Sequence, residues 1–268
     1  MLGVIVCGAA GRMGSTVVRL VHESGALKVV GAVEFAASPQ LDKDAGEIAG
    51  VGRIGVPITA QLAPLLKGQV TVIEFSTPQA TLEHARLAAA KKIPIVIGTT
   101  GSDQKQLDEI KQLARRTPIL LSANMSLGVN LLVNLLGKVA QKLGEDYDVE
   151  IIEAHHRFKK DAPSGTAIAM GRAIAEGLKR DLDKVGINGR KGIVGERTKK
   201  EIALLSVRAG DIVGDHTVIF GGIGERLEFT HRAHSRENFA RGALRAAEWL
   251  ATKKPGLYGM QDMLRLLS

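Results

Sequence analysis

The opening 34 residues constrain this chain more than any other stretch. Residues 2–7, Leu-Gly-Val-Ile-Val-Cys, make a short apolar, β-branched run, the pattern of a strand buried on both faces of a parallel sheet. Gly8-Ala9-Ala10-Gly11-Arg12-Met13-Gly14 follows at once. Residues 15–24 then read as a helix with Val17, Val18 and Val21 inward, and residues 28–34 as a second strand ending in Glu34. Strand, Gly-rich turn, helix, strand and terminal acid, in that order, are the context of a dinucleotide-binding unit. The glycines permit a tight turn and close approach of the backbone to a pyrophosphate. Glu34, about twenty residues after the turn, is placed to bond adenosine ribose hydroxyls. The spacing G-x-x-G-x-x-G is a variant of the commoner G-x-G-x-x-G, and a turn whose glycines merely allow tight packing would have the same spelling.

Further strands are expected over 70–75, 93–97 and 119–122, with helices over 79–90 and 102–116 between them, the latter capped by Ser102 or Asp103. Residues 39–55 read as an irregular loop. Each strand finishes in a small, polar or Gly-rich segment: Ser76-Thr77-Pro78, Gly98-Thr99-Thr100-Gly101, and Ala123-Asn124-Met125-Ser126. In open α/β sheets, ligands bind beyond the carboxyl ends of the strands, so three such loops point to a shared crevice. An apolar helix over 127–143, with Asn130 and Asn134 on one face, leads into the second half.

There, a strand over 149–154 delivers His155-His156-Arg157-Phe158-Lys159-Lys160-Asp161-Ala162-Pro163-Ser164-Gly165-Thr166, and a helix follows over 166–182. Imidazoles transfer protons near neutral pH, lysines attract carboxylates, and a helix N-terminus at Ser164-Gly165-Thr166 offers unpaired N–H groups to an anion. These residue types suit a small molecule that bears carboxylates and must receive a proton. A basic solvated loop before a capped helix is the plainer alternative. A metal centre is disfavoured: adjacent histidines on an extended strand face opposite ways, and no Cys or Glu stands nearby at ligand spacing. Residues 184–200 look like a Gly- and Arg-rich surface excursion. Strands over 203–208, 214–220 and 226–232 suggest an open mixed sheet with a face that could meet another subunit. Helices over 237–250 and 260–266 close the chain.

The fold class expected is α/β, a Rossmann-like parallel-sheet dinucleotide domain plus an α+β domain. The first would occupy 1–126, with 237–268 returning to it, and the second 127–236. A net charge of +8 favours anionic partners, but the basic residues are spread out and aromatics make up only 3%. Small anions therefore rank above nucleic acid. No apolar run approaches bilayer-spanning length, and no secretory signal opens the chain, so no membrane partner and a cytoplasmic location are expected. The single cysteine, Cys7, sits in the first apolar run and reads as core.

Four segments carry a resemblance to a known family: residues 8–14, Gly98-Thr99-Thr100-Gly101, Ala123-Asn124-Met125-Ser126, and Glu153-Ala154-His155-His156-Arg157-Phe158-Lys159 through Asp161-Ala162-Pro163-Ser164-Gly165-Thr166. The chain resembles the 4-hydroxy-tetrahydrodipicolinate (dihydrodipicolinate) reductases of the diaminopimelate route to lysine, over essentially its whole length. The resemblance implies hydride transfer from NADH or NADPH to a cyclic dicarboxylate, and a homotetramer assembled through the second domain. It implies His155 as proton donor, Lys159 as a substrate-binding catalytic partner, and His156, Ser164, Gly165 and Thr166 as substrate contacts. The cofactor would meet Gly8, Ala9, Ala10, Gly11, Arg12, Met13, Glu34, Gly98, Thr99, Thr100, Ser122, Ala123, Asn124 and Met125. The family often has Arg after the strand-end acid, where this chain has Phe35. Use of both cofactors with a lean to NADH is therefore expected. Ser102 and Met125 stand where aromatics are common. The rival readings are another two-domain NAD(P)-dependent dehydrogenase and a dinucleotide sensor without turnover. A sensor would keep the turn and Glu34 but need no acid and lysine in the second half.

Overall fold

The computed structural model describes residues 1–264. In chain order its elements are β1 (Leu2–Cys7), α1 (Arg12–Glu23), β2 (Leu27–Val33), α2 (Ala45–Ala49), β3 (Ile58–Thr59), β4 (Val70–Glu74), α3 (Pro78–Lys91), β5 (Ile95–Ile97), α4 (Gln104–Leu113), β6 (Pro118–Leu121) and α5 (Leu127–Leu143). They continue with β7 (Asp148–His155), α6 (Gly165–Gly177), α7 (Leu182–Val185), β8 (Gly186–Ile187), β9 (Ile202–Arg208), β10 (Gly214–Gly221), β11 (Arg226–Ala233), α8 (Glu237–Leu250), β12 (Gly256–Tyr258) and α9 (Met260–Met263). The described residues divide into two compact units, Met1–Leu127 together with 237–264, and Gly128–Arg236.

The first unit is built on a seven-stranded sheet in the order β12-β6-β5-β4-β1-β2-β3, with every pairing parallel. Alternate residues of each strand feed different cores. Val4, Val6, Ile73, Val96 and Leu120 pack with Val17, Val18 and Val21 of α1 and with Ala243, Ala246 and Ala247 of α8. Ile5, Cys7, Val72, Ile95, Ile97 and Ile119 pack with Leu82, Ala85 and Ala88 of α3 and Ile110 of α4. Burial on both faces is why these strands read as unbroken apolar runs. Chain order runs outward from β1 to β3 on one side and from β4 to β12 on the other, so β1 and β4 flank the topological switch. The loops expected to form a crevice leave the carboxyl ends of β4, β5 and β6.

The second unit carries a five-stranded mixed sheet, β11-β10-β7-β9-β8, in which β10 runs antiparallel to both neighbours while β7, β9 and β8 are parallel. Val149, Ile151, Leu204, Val218 and Phe220 bury one face under Leu136 and Ala140 of α5 and Met170 and Ile174 of α6. These two helices approach closely, since a Cβ on Gly177 would lie 2.3 Å from the Gly137 carbonyl oxygen. On the other face Ile152 and Val207 remain 36% and 46% exposed.

Several boundaries differ from expectation for local reasons. The strand expected over 93–97 begins only at Ile95, because Pro94 has no N–H for the ladder. The loop over 39–55 contains α2, organised by Asp44, whose carboxylate accepts from the N–H groups of Gly46, Glu47, Ile54, Gly55 and Val56. The helix expected over 166–182 stops at Gly177, and Lys179 turns the chain with φ +56° before α7. The excursion over 184–200 is pinned to the sheet: Arg190 and Arg197 pair with Glu150 and Glu201. Short β3, β8 and β12 were not expected. Of the helix expected over 260–266, Met260–Met263 is helical, and residues 265–266 lie outside the described residues. Among the described residues, no helix is long and apolar enough to cross a membrane.

Helix α8 lies so close to the loop after β6 that a Cβ on Gly242 would stand 1.7 Å from the Met125 carbonyl oxygen. Backbone cannot give way there as a side chain would. Gly242→Ala should therefore cost at least the upper part of the about 1–3 kcal/mol typical of overpacking. Denaturant unfolding checks this, and a loss below about 0.5 kcal/mol would contradict so tight a contact.

Candidate functional site

In the first unit, the Gly-rich turn is shaped by two close approaches. Gly8 has φ +75°, and a Cβ there would lie 2.5 Å from the Phe75 carbonyl oxygen at the end of β4. A Cβ on Gly14 would lie 2.0 Å from the Gly8 carbonyl oxygen, so α1 is seated directly on the turn. The N–H groups of Gly8 and Ala9 donate to the Val33 carbonyl, that of Gly11 to Gly8, and that of Ala10 to Glu34 Oε1 at 2.9 Å. These four expected contacts therefore contribute shape, their donors being already paired. Gly11 supplies no side-chain cap to the first turn of α1, so among the described residues the N–H groups of Arg12, Met13 and Gly14 are the donors left at this end. Glu34 sits against the turn as expected, accepting also from Phe35 N–H at 3.2 Å. Phe35 is exposed.

The neighbouring loops close on the same end of the sheet. A Cβ on Gly98 would collide with the Phe75 ring at 2.1 Å. Thr99 is buried, and its hydroxyl has no partner among the described residues, while Thr100 is exposed. Ser122 donates from its hydroxyl to the Asn124 carbonyl at 2.7 Å, and Asn124 Oδ1 accepts from Ser126 N–H at 2.8 Å. Ala123 is exposed at the tip. The Met125 side chain is 2% exposed and lies in the core, so the sulfur chain cannot be a surface contact.

The His-rich stretch is organised by a residue to which the sequence reading gave no role, Glu153. It lies two residues before His155 on β7, hence on the same face, and is fully buried. Its Oε2 accepts from His155 Nδ1 at 2.6 Å and Arg208 Nη1 at 2.9 Å. Its Oε1 accepts from Arg208 Nη2 at 2.8 Å and the Ser164 N–H at 3.1 Å. Burial pushes the carboxyl up, but the hydrogen bonds from Arg208 and His155 outweigh it and hold the value at about 2. An ionised carboxylate only accepts, so His155 carries a proton on Nδ1 and presents Nε2 for exchange. Gly214 keeps that nitrogen clear, because a Cβ there would lie 3.1 Å from His155 Nε2.

Lys159 reaches both oxygens of Asp161 at 2.9 Å, and Arg208 also donates to the Asp161 carbonyl at 2.7 Å. His156 is half-buried with Nδ1 unpartnered among the described residues. Ser164 departs from its expected role as a direct substrate contact. It is 2% exposed, its N–H is held by Glu153, and its Oγ caps α6 by accepting from Ala167 N–H at 3.1 Å. Gly165 and Thr166 begin α6, with Gly165 exposed. The i, i+2 spacing could have found Glu153. Arg208, Gly214 and His216 come from β9 and β10, whose register no local pattern reveals.

One further cluster has metal-ligand chemistry: Cys7, Glu74 and His84 gather within 4.8 Å. Its contacts are those of hydrogen bonding. Glu74 takes His84 Nδ1 at 2.6 Å and both the N–H and hydroxyl of Ser76, and burial, followed by the charge of Glu74, keeps the Cys7 thiol protonated.

Comparison with known proteins converges on one family. Residues 2–125 match the family model "Dihydrodipicolinate reductase, N-terminus", and residues 128–264 match "Dihydrodipicolinate reductase, C-terminus". The chain belongs to the dihydrodipicolinate reductase family. A 4-hydroxy-tetrahydrodipicolinate reductase from Syntrophus aciditrophicus is 52% identical over 264 residues, 98% of each chain. One from Geotalea uraniireducens is 48% identical over 266 residues, 99% of this chain and 100% of that one. Among solved structures, a dipicolinate-bound dihydrodipicolinate reductase from Paenisporosarcina sp. TG-14 aligns with a TM-score of 0.76 at 25% identity, covering 98% of this chain and 99% of that one. Family membership establishes a reductase with a nucleotide-binding Rossmann unit, and the resemblance read from the sequence holds. An uncapped α1 and the unpartnered Thr99 hydroxyl are both donors a pyridine nucleotide could use, so the residues fit the cofactor that this family implies.

Glu153→Gln keeps the shape but removes the charge that Arg208 and His155 share. The depressed carboxyl contributes stability that is present above its usual 4.5 and lost as pH falls toward about 2. Above pH 5 the variant should lose up to about 3–5 kcal/mol, the range for a buried pair broken on one side. The gap should narrow between pH 4.5 and about 2 in acid unfolding, and a gap undiminished at pH 2 would contradict the pairing.

Proposed function

We propose that this chain reduces 4-hydroxy-tetrahydrodipicolinate to tetrahydrodipicolinate with NADH or NADPH, in the diaminopimelate route to lysine. The observation that carries the reading is the Glu153–His155 pair with Nε2 left open beside Gly214, next to a lysine and a helix N-terminus. A reduced nicotinamide, when bound, supplies the hydride. His155 delivers a proton from Nε2 as negative charge develops on the substrate, and Glu153, fixed by Arg208, steadies the imidazolium through Nδ1. Lys159 takes a substrate carboxylate in place of Asp161, whose side chain is 65% exposed and free to swing away. The N–H groups at Gly165 and Thr166, with His156 beside them, receive a carboxylate at the positive end of α6. Dipicolinate, bound by the Paenisporosarcina relative, is a planar dicarboxylate of this class.

On the cofactor side, Arg12, Met13 and Gly14 offer N–H groups to the pyrophosphate, and Glu34 keeps lone pairs for the ribose diol. Gly98, Thr99, Thr100 and the loop over 122–124 line the nicotinamide end, with the Met125 side chain packed behind them in the core. With exposed Phe35 rather than a cation after Glu34, nothing at that position pairs a 2′-phosphate, which supports NADH as the favoured donor. The open face of the second sheet, carrying Ile152 and Val207, supports assembly into a homotetramer. The site's small-anion chemistry calls for neither nucleic acid nor membrane, and a lone buried thiol suits the cytoplasm.

The test is oxidation of NADH and NADPH with substrate made in place from pyruvate and aspartate semialdehyde by the preceding synthase. Wild type should turn over with both and favour NADH. His155→Ala should lose about 10²–10⁴-fold in kcat, the usual worth of a general acid. Lys159→Ala should lose activity mainly through KM. Phe35→Arg should raise use of NADPH relative to NADH. Folded protein that binds NADH but oxidises neither cofactor would sink the assignment and favour a sensor.

A further inference from the structure

Two registers place a third imidazole behind the proposed proton donor. His216 of β10 stands opposite Glu153 of β7 and opposite His231 of β11, so all three share one face of the sheet. Two residues back along β10, Gly214 lies against the His155 ring, where a Cβ would stand 3.1 Å from Nε2. His216 is 3% exposed, its ring meets that of His155 edge-on at 5.2 Å, and His231 lies 6.5 Å away. Its Nε2 is 3.0 Å from Ser164 Oγ, and its Nδ1 is buried with no partner among the described residues.

We propose that His216 is a positioning residue for the reductase reaction, one that fixes Ser164 and through it the first turn of α6 where a substrate carboxylate is received. This rests on the reading of the site given above. Ser164 has one hydroxyl proton and accepts from Ala167 N–H, so its remaining bond is the one to His216. Without that bond the hydroxyl can rotate away, and the cap that aligns Gly165 and Thr166 loosens. Glu153 holds the same serine by its N–H, so one residue of the cradle is gripped from two sides and tied to the carboxylate that orients His155.

A charge on His216 would work against this arrangement. Burial first, then the nearby His155, lowers its pKa to about 4, against a smaller opposing pull from Glu153. His231 and Lys159 add to the depression. The imidazole thus gives a hydrogen bond and a rigid ring without placing a second cation against His155. A buried nitrogen left unpaired costs stability, and such costs are retained where they serve a site.

The experiment compares His216→Phe and His216→Gln with wild type in the coupled assay, together with direct titration of dipicolinate into NADH-loaded protein. An amide can still reach Ser164 Oγ, whereas a phenyl ring cannot. His216→Phe should raise KM and the dipicolinate Kd about tenfold, the worth of one hydrogen bond, with kcat little changed. His216→Gln should stay within about threefold of wild type. In a Ser164→Ala background, which lacks both the helix cap and the bond to His216, either His216 change should add almost nothing. Equal Kd values for wild type and His216→Phe, a glutamine as damaging as phenylalanine, or full additivity with Ser164→Ala would overturn the proposal. If His216→Phe does not fold, the glutamine and Ser164→Ala arms still decide it. A wild type that binds dipicolinate but shows no turnover would instead count against the proposed reaction.

Discussion

A carboxylate with no solvent contact must be matched on every lone pair or it will unfold its surroundings, and Glu153 meets that demand with three donor groups. Arg208 supplies a bidentate pair, His155 its Nδ1 and Ser164 its backbone N–H. Each partner comes from a different part of the second unit: β9, the end of β7 and the N-cap of α6. The charge cannot be satisfied unless the parallel β7–β9 register is correct, since His155 lies opposite Arg208 and Glu153 opposite Ser206. Folding the sheet and assembling the site are thus one event. That coupling explains why a site can be held rigidly on a unit whose other sheet face is open.

The first unit repeats the device with different hardware. Glu74 ends β4 fully buried and takes His84 Nδ1 at 2.6 Å, as Glu153 takes His155. Its remaining acceptors go to Ser76 rather than to an arginine. A guanidinium would bring a formal charge to a strand end surrounded by Cys7, Ile73 and the Gly8 turn, whereas a serine brings none. The result is a fixed exit from β4, with the Phe75 carbonyl pressed on Gly8 and the Phe75 ring on Gly98. Three loops of the nucleotide end are locked together by contacts in which only glycine fits.

What could be read in advance follows from the range of the interactions. Strands buried on both faces announce themselves by composition, so β1, β4 and β6 were placed within a residue or so. Long helices with one apolar stripe, α5 and α8, were placed to the residue. The short pairings at the sheet edges, β3 and β12, hold two and three residues and have no periodicity to detect. At the site, the chemistry-bearing types within residues 155–166 were visible because they are contiguous. Arg208, Gly214 and His216 were not, because they arrive through strand register. Ser164 shows the limit most clearly: a serine before a helix spells an anion contact and a helix cap alike, and only the partners of its two polar groups tell them apart.

The Gly-rich turn carries the same lesson at the scale of single N–H groups. A sequence match assigns a phosphate to the whole turn, but Gly8, Ala9, Ala10 and Gly11 use their donors to close the turn on β2 and Glu34. In the proposed reading the anion lies further on, over the uncapped start of α1, where the helix dipole adds to the N–H groups of the first turn. Glu34 therefore has two tasks. Oε1 braces the turn through Ala10 and Oε2 takes the Phe35 N–H, and in the proposed reading the lone pairs that remain serve the ribose. A phosphate on that ribose would meet a carboxylate already fixed in place, with exposed Phe35 beside it and no cation at that position to offset the repulsion. On the same reading, cofactor choice is tied to the brace that shapes the turn, so a change at Glu34 would also remove its contact with Ala10.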